Sequence, residues 1–313
     1  MEILVSGSLA YDRIMDFPGL FSDHIMPDKI HNINVSFTVN GLAENFGGTA
    51  GNIAYALALL GESPSIISSI GHDYHRYFQR LDQHGLTQKH IRIVPEESTA
   101  SAYITTDEAD NQITGFNPGA MKFPSGADII GFDPSDSIAI VAPGNLEDMQ
   151  QLSRRYKDQD IFTIFDPGQS LPLWDGSALS QCINGSQMLV CNDYEQSLIA
   201  SKTGLKPDEL LGMVDTVIVT LGAQGCQVST KENSVRVPAI PTDNVVDPTG
   251  AGDAFRGGLI KGLVQGLPVR RASEIGTVCA HYAVQQQGTQ QYTLSAEHFE
   301  ETLQHHFGPH PAP

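Results

Sequence analysis

Short apolar segments alternate with amphipathic helical stretches over most of the 313 residues. Period and length predict buried strands at residues 3–5, 65–70, 138–141, 161–165, 188–191 and 216–220. Helices are predicted between them at residues 49–60, 145–156 and 193–202. This alternation is typical of an α/β fold with a mainly parallel sheet covered by helices on both faces. Ligands of such sheets bind at the carboxyl ends of the strands.

Two segments, residues 15–46 and 99–117, interrupt this alternation. Both have the alternating pattern of strands separated by turns, so we expect two insertions that form a small β-sheet lid over the ligand face of a single domain, residues 1–313. An edge hairpin followed by a long loop is the alternative. Ile30, Ile33, Val35 and Phe37 would give a lid strand an apolar face, through which two subunits could form a homodimer.

Composition restricts the classes of partner. The formal net charge of −18 would repel a nucleic acid, and the sequence contains no long Lys/Arg cluster to offset it. We find no secretory signal pattern and no run of about twenty apolar residues, so we expect a cytoplasmic protein without a membrane partner. The four cysteines have no zinc-ligand spacing and are expected to be reduced core thiols.

The segment 247–255, Asp-Pro-Thr-Gly-Ala-Gly-Asp-Ala-Phe, carries the strongest functional signal. Gly250, Ala251 and Gly252 would let a phosphate approach the backbone at the start of a helix, where unpaired N–H groups bind anions. Asp253 would repel that anion unless it accepts a proton. A solvated carboxylate in the first turn of a capped helix is the alternative from the local pattern.

Four other motifs are weak when taken singly. The Gly47-Gly48 pair with Asn52 could contact a substrate hydroxyl or only form a tight turn before a helix. Asp12 follows the first strand, where it could accept hydrogen bonds from sugar hydroxyls or cap a turn. Residues 220–225 could form a nucleotide-phosphate turn or a β-hairpin. Asn192 and Glu195 could order Mg²⁺ through water or form a capping box.

The order of these motifs resembles the ribokinase-like (PfkB) family of sugar and nucleoside kinases, and within it the bacterial adenosine kinases. Further resemblances lie at Ser6-Gly7-Ser8, 17–19, 35–37, 116–121 and 288–290. The resemblance implies a three-layer α/β/α core and ATP-dependent phosphorylation of the adenosine 5′-hydroxyl, a purine salvage reaction. Mg²⁺ is the implied cofactor, and a requirement for K⁺ stays open.

The resemblance also implies residue roles. Asp253 would be the general base, and the amides of Gly250, Ala251 and Gly252 would form the anion hole. The nucleoside would be bound by Ser8, Asp12, Ser36, Gly47, Gly48, Asn52, Tyr103, Phe116 and Gln169. ATP would contact Asn192, Thr220, Gly222, Ala223, Gly225 and Gly252, while Asn192 and Glu195 would order Mg²⁺ through water.

The sequence departs from the adenosine kinase pattern at Ala102, Ser170 and Leu173, where an aromatic residue, Gln and Arg are expected. The base specificity is therefore open, and Gln169 is also similar to archaeal nucleoside kinases of broad specificity. A sugar kinase of the same family and a catalytically silent nucleoside sensor are the alternatives. A nicotinamide oxidoreductase is disfavoured because no Gly-x-Gly-x-x-Gly follows the first strand.

Overall fold

A computed structural model describes residues 1–25, 31, 34–109, 111–128 and 131–309. The strands are β1 (Glu2–Ser6), β2 (Ala10–Asp16), β3 (Ala43–Gly47), β4 (Ser65–Gly71), β5 (Ile91–Val94), β6 (Ala100–Thr106), β7 (Gln112–Asn117), β8 (Ser137–Val141), β9 (Phe162–Phe165), β10 (Met188–Asn192), β11 (Thr216–Thr220), β12 (Cys226–Thr230) and β13 (Ser234–Val237). The α-helices are α1 (Thr49–Leu59), α2 (His75–Gln83), α3 (Leu146–Asp158), α4 (Gly176–Ile183), α5 (Asp193–Thr203), α6 (Pro207–Leu210), α7 (Ala251–Val264), α8 (Val269–Ala283) and α9 (Ala296–Phe307).

Nine strands form the main sheet in the order β13-β12-β11-β10-β9-β8-β1-β4-β5. All pairings from β11 to β5 are parallel, and the β11–β12 and β12–β13 pairings at one edge are antiparallel. Two hydrophobic clusters flank this sheet, one containing α1 and α7 and the other α3 and α4. The α/β fold with a mainly parallel sheet is thus confirmed, and each of the six predicted strands is present.

A second sheet has the order β3-β2-β6-β7. β2 pairs antiparallel with β3 and parallel with β6, while β6 and β7 form the hairpin predicted within residues 99–117. The strands predicted between β2 and β3 are absent from the described residues of that stretch. Instead, Phe17, Phe21 and Phe37 pack their rings together at centroid distances of 4.8 to 5.6 Å, which holds the described parts of this connection against each other.

The strand predicted around Val35 and Phe37 is therefore wrong for the described residues 34–39, because Phe37 is in this aromatic cluster rather than on a sheet face. Ile30 and Ile33 lie outside the described residues. Within the described part of the chain, no helix is both long enough and apolar enough to cross a bilayer.

Glycines bring the helix after the 247–255 motif close to its neighbours. A Cβ on Gly257 would lie 2.5 Å from Ala56 Cβ of α1, and one on Gly258 would lie 2.7 Å from both Cys279 Sγ and Gly276 Cα of α8. Helix α7 therefore packs between α1 and α8 at a separation that no side chain at these two positions would permit. This packing places the start of α7 beside the start of α1.

We expect Gly258→Ala to lower the free energy of unfolding by about 1–3 kcal/mol, because the added methyl group overpacks the α7–α8 contact. Alanine has a higher helix propensity than glycine, which by itself would stabilise the variant by about 1 kcal/mol. A net loss of stability would therefore show that overpacking outweighs the gain in propensity. Gly115→Ala is the matched control, since a Cβ at Gly115 has no neighbour within 4 Å. Urea unfolding of both variants measures the difference; a more stable Gly258→Ala protein would contradict the packing account.

Candidate functional site

A cavity of about 470 Å³ lies at the carboxyl ends of the central strands and at the start of α7. Its lining contains eight residues that the sequence assigned to the site, namely Gln169, Asn192, Glu195, Thr220, Gly222, Gly250, Gly252 and Asp253. The position agrees with the expected ligand edge of a parallel sheet. The charged groups in the described lining are four carboxylates, from Asp166, Asp193, Glu195 and Asp253, and the guanidinium of Arg256.

The 247–255 motif forms the start of α7 at this cavity. Gly250 is the N-cap with a φ of 79°, a left-handed conformation that favours glycine. A Cβ at Gly250 would also lie 2.9 Å from the Thr289 side chain. Ala251 begins the helix and its N–H donates to the Pro248 carbonyl at 3.3 Å, while Gly252 and Asp253 follow in the first turn, where N–H groups have no intrahelical partner. The turn can therefore bind an anion through its backbone.

Asp253 is held by a helix from the other side of the site. Asn52 Nδ2, on α1, donates a hydrogen bond to Asp253 Oδ2 at 2.8 Å. Burial raises the pKa of Asp253 to about 6, while the positive charge of Arg256 and the Asn52 hydrogen bond oppose this shift. A carboxylate with this pKa is ionised at neutral pH and is a stronger base than an ordinary aspartate.

Arg256 and Asp166 form a buried ion pair in the cavity wall, which the sequence did not predict. Arg256 Nε contacts Asp166 Oδ2, Arg256 Nη1 donates to the carbonyl of Gly252 at 2.9 Å, and both side chains are buried. In the sequence, Arg256 directly follows the 247–255 motif. Arg256 and Gly252 are four residues apart and therefore lie on one helix face. This spacing is the sequence signal for their contact.

Asn192 and Glu195 form a reciprocal capping box at the start of α5. Asn192 Oδ1 accepts from the Glu195 N–H, and Glu195 Oε2 accepts from the Asn192 N–H, both at 2.7 Å. The structural alternative considered for this motif is therefore correct, and both side chains still line the cavity. Burial raises the pKa of Glu195, with the charge of Asp166 acting in the same direction.

Residues 220–225 form a hairpin turn that also reaches the cavity. β11 and β12 pair antiparallel on either side of it, and Thr220 and Gly222 line the cavity. Ala223 is exposed and is not in the cavity wall. A Cβ on Gly225 would lie 2.0 Å from the carbonyl oxygen of Val237, so this glycine is explained by packing.

Asp12, Gly47 and Gly48 lie where the two sheets meet. A Cβ on Gly47 would lie 2.5 Å from Asp12 Oδ2, so the glycine gives the carboxylate its space. Burial, assisted by the charge of Asp247, raises the pKa of Asp12 to about 6. Gly48, with a φ of 89°, packs against the Ser8 carbonyl, and the buried Ser8 Oγ accepts from the Thr49 N–H at 3.1 Å.

The strand register divides the predicted lid residues between two faces. Asp12 pairs with Ala102, and Ala102 pairs with Phe116, so these three side chains share one face of the second sheet. Tyr103 is on the opposite face, where its hydroxyl accepts from Arg13 Nη1 at 2.8 Å. Tyr103, which the resemblance places at the nucleoside, thus lies on the face opposite Asp12, and Phe116, 51% exposed, is the aromatic residue of the face that carries Asp12.

The remaining positions singled out from the sequence lie outside the strands and the α-helices. Ser36 is exposed in the connection between β2 and β3. Gln169 is exposed on a short 3₁₀ helix and lines the cavity, whereas Ser170 beside it is buried. Leu173, at the position where Arg was expected, is 69% exposed.

The model of the pfkB family of carbohydrate kinases matches residues 10–296, which include the second sheet, every strand of the main sheet except β1, and the cavity lining. The chain belongs to the pfkB family of carbohydrate kinases. A nucleoside kinase from Burkholderia thailandensis, solved with inosine, superposes with a TM-score of 0.85 at 37% identity over 98% of each chain. Its structure with ADP and inosine gives a TM-score of 0.83 at 38% identity, covering 99% of this chain and 97% of that one.

A nucleoside kinase from Methanocaldococcus jannaschii is 30% identical over 294 residues, which cover 90% of this chain and 95% of that protein. The ribokinase-like fold expected from the motif order is thus confirmed. The protein is a kinase of the nucleoside and sugar kinase type.

We expect Arg256→Met to destabilise the protein by about 3–5 kcal/mol, because it leaves the Asp166 carboxylate buried without its partner. The double variant Asp166→Asn/Arg256→Met should recover much of this loss, since no uncompensated charge then remains. Urea unfolding of the two single variants and the double variant gives the coupling free energy. Additive effects of the two substitutions would show that the ion pair is not coupled.

Proposed function

We propose that the protein transfers the γ-phosphoryl group of ATP to the 5′-hydroxyl of adenosine, giving AMP and ADP. The observation that carries this proposal is Asp253, a carboxylate with a pKa of about 6 in the first turn of α7, beside the glycines of an anion-binding turn. The similarity to a kinase solved with inosine and with ADP supports a nucleoside as acceptor and ATP as donor.

In the proposed reaction Asp253 accepts the proton of the 5′-hydroxyl as its oxygen attacks the γ-phosphorus. The bond between the γ-phosphorus and the oxygen bridging to the β-phosphate breaks, and ADP leaves with that oxygen. The amides at Gly250, Ala251 and Gly252 stabilise the charge on the transferring group. ATP would extend over Asn192, Thr220 and Gly222, with Ala223 and Gly225 further along the same hairpin.

The residues present fit Mg²⁺ bound through water. The cavity wall offers oxygen donors from Asn192, Asp193 and Glu195, the ligand type that Mg²⁺ prefers, and water would bridge them to the ion. Among the described residues, no three His, Cys, Asp or Glu side chains are grouped to bind an ion directly. Bound Mg²⁺ would neutralise phosphate charge, and a K⁺ requirement stays a prediction to be tested by exchange of the monovalent salt.

The acceptor would lie between α1 and the second sheet. Asp12 and Asn52 would bind the ribose hydroxyls, with Gly47 and Gly48 providing space for close approach and Ser8 and Ser36 nearby. Phe116 shares the sheet face of Asp12 and would contact the purine ring, and Gln169, which lines the cavity, would also contact the nucleoside. Closure of the second sheet as a lid would exclude water and suppress ATP hydrolysis.

A nucleoside kinase of broad base specificity is the second candidate, favoured by the 37% identity to the kinase solved with inosine. A panel of adenosine, inosine, guanosine, cytidine, ribose and fructose 6-phosphate, scored by ADP formation, separates the candidates. We expect adenosine to give the highest kcat/KM. Comparable values for several nucleosides would assign the broad activity, a sugar preference would overturn the nucleoside assignment, and binding without turnover would indicate a sensor.

In the cell this reaction would recover a preformed purine nucleoside, which is purine salvage. A cytoplasmic location and a homodimer through the edge of the second sheet stay predictions. All six residues of the edge strand β7 are exposed, so a second copy could pair with it. Light scattering that shows only a monomer would exclude the homodimer.

Asp253→Asn should lower kcat by about 10²–10⁴-fold, because the amide cannot accept the proton. The isosteric change keeps the shape of the site, so the Kd of adenosine measured by calorimetry should change little. Asp175→Asn is the control, because it also replaces a carboxylate by an amide, at the N-cap of α4, and Asp175 does not line the cavity. An Asp253→Asn protein with unimpaired turnover would exclude Asp253 as the base.

The pH profile of kcat/KM should fall on the acid side of about pH 6, because protonation of Asp253 removes the base below its pKa. The charge of Asp12 raises the pKa of Asp253. Asp12→Asn should therefore shift the acid limb to lower pH, while it raises KM through the lost ribose contact. Initial rates from pH 5 to about pH 9 test both effects; a limb that moves to higher pH would contradict the electrostatic assignment.

A further inference from the structure

A line of hydrogen bonds runs from a backbone carbonyl of β3 to the carboxylate of Asp253. Tyr77 OH donates to the Gly47 carbonyl at 2.7 Å. Gln290 Nε2 donates to Tyr77 OH at 3.1 Å and to Asn52 Oδ1 at 3.0 Å. Asn52 Nδ2 then donates to Asp253 Oδ2 at 2.8 Å. Two of the residues in this line, Tyr77 and Gln290, have no role in the reaction as described so far.

The direction of every bond in this line follows from its first member. A carbonyl oxygen can only accept, so the single proton of Tyr77 points to Gly47. The Tyr77 oxygen can then only accept from Gln290, which fixes the amide nitrogen of Gln290 towards it. The second proton of that nitrogen points to Asn52, whose carbonyl oxygen must face it. The Asn52 nitrogen consequently faces Asp253.

Burial keeps this order in place. Tyr77 is fully buried, and desolvation raises its pKa well above the ordinary value, so it remains a donor at working pH. A Cβ on Gly51 would lie 1.9 Å from Tyr77 OH, and the glycine thus makes room for the hydroxyl beside α1. The backbone carbonyl of Gln290 also accepts from Arg80 Nη2, which holds the residue from its other side.

Thr289 cannot replace Gln290 in this order. Its hydroxyl lies 2.9 Å from both the Phe46 carbonyl and Asn52 Oδ1, two acceptors that compete for one proton. The Gln290 amide has a proton for Asn52 Oδ1 whichever way the Thr289 hydroxyl points.

We infer that Tyr77 and Gln290 are positioning residues, which orient the Asn52 amide so that it donates to the Asp253 carboxylate. This inference rests on the proposed function of Asp253 as general base. Without the line of bonds the Asn52 amide can rotate and present its oxygen to Asp253. That arrangement favours the protonated carboxyl group, which is no base.

The charged groups around Asp253 are known and stay unchanged when Tyr77 or Gln290 is replaced. Arg256 lies on the same helix, Asp166 follows β9, and Asp12 comes from β2. Within the hydrogen-bond line, Tyr77 is connected to Asn52 and Asp253 through Gln290.

The test compares Tyr77→Phe and Gln290→Leu with wild-type protein. Loss of a hydrogen bond to a charged group corresponds to an upward shift of the acid limb of kcat/KM by about one pH unit. Activity should then fall about five-fold at pH 6 and change little at about pH 8.5. Tyr156→Phe is the matched control, because Tyr156 is fully buried in α3 and its hydroxyl has no hydrogen-bond partner in the described structure.

A readout that does not need turnover separates this inference from the proposed function. The carboxyl ¹³C shift of Asp253, assigned with Asp253→Asn, should titrate at higher pH in Tyr77→Phe and Gln290→Leu than in wild type or Tyr156→Phe. Gln290→Glu adds a second test, since a carboxylate there accepts from Asn52 and turns its amide; Gln291→Glu controls for the added charge.

The outcomes are distinct. If wild type phosphorylates no nucleoside, the proposed function fails, and the ¹³C titration still decides whether the line of bonds sets the state of Asp253. If wild type turns over, and neither the acid limb of kcat/KM nor the ¹³C titration changes in folded Tyr77→Phe and Gln290→Leu, the positioning inference is overturned. An equal loss of activity at all pH values would assign these residues a structural role and would also overturn it.

Discussion

The hydrogen bond between Asn52 and Asp253 joins two helix starts that are 201 residues apart in the chain. One helix follows the Gly47-Gly48 turn, and the other follows the anion-binding turn. Their approach depends on the glycines of α7, because a side chain at Gly257 would collide with Ala56 of α1. The proposed acceptor side and the proposed phosphate side are therefore brought together only while this helix contact is intact. The geometry of the candidate site is a consequence of close helix packing.

Much of the fold could be predicted from sequence because parallel strands buried on both faces are continuous apolar runs. Residues 188–191 and 216–220 are examples, and the polar residues after them lie at one sheet edge because parallel strands end together. Asp253 could be singled out as a candidate site residue from local sequence as well, because an acidic side chain in a turn suited to anions requires an explanation within a few residues.

What sequence could not provide depends on contacts across the chain or on strand register. Nothing local pairs Asp166 with Arg256, which are 90 positions apart. Tyr103 and Phe116 are both aromatic, yet pairing of Ala102 with Phe116 places them on opposite faces, and a shift by one residue would exchange them. The connection after β2 alternates like a strand, but Phe17, Phe21 and Phe37 bury their rings against one another instead.

Asp253 has a neutral hydrogen-bond partner, Asn52, and a charged neighbour, Arg256, and this difference has a physical reason. A direct ion pair with Arg256 would lower the pKa of Asp253 and make it a weaker base. Asp166 binds the Nε of Arg256 instead, so the guanidinium acts on Asp253 only through space, and the neutral amide of Asn52 supplies the direct contact. Arg256 is the one cationic side chain in the described cavity lining, and it is already paired with Asp166. Phosphate charge must then be balanced by the backbone amides of α7 and by a bound cation, which connects the tuning of the base to the proposed need for Mg²⁺.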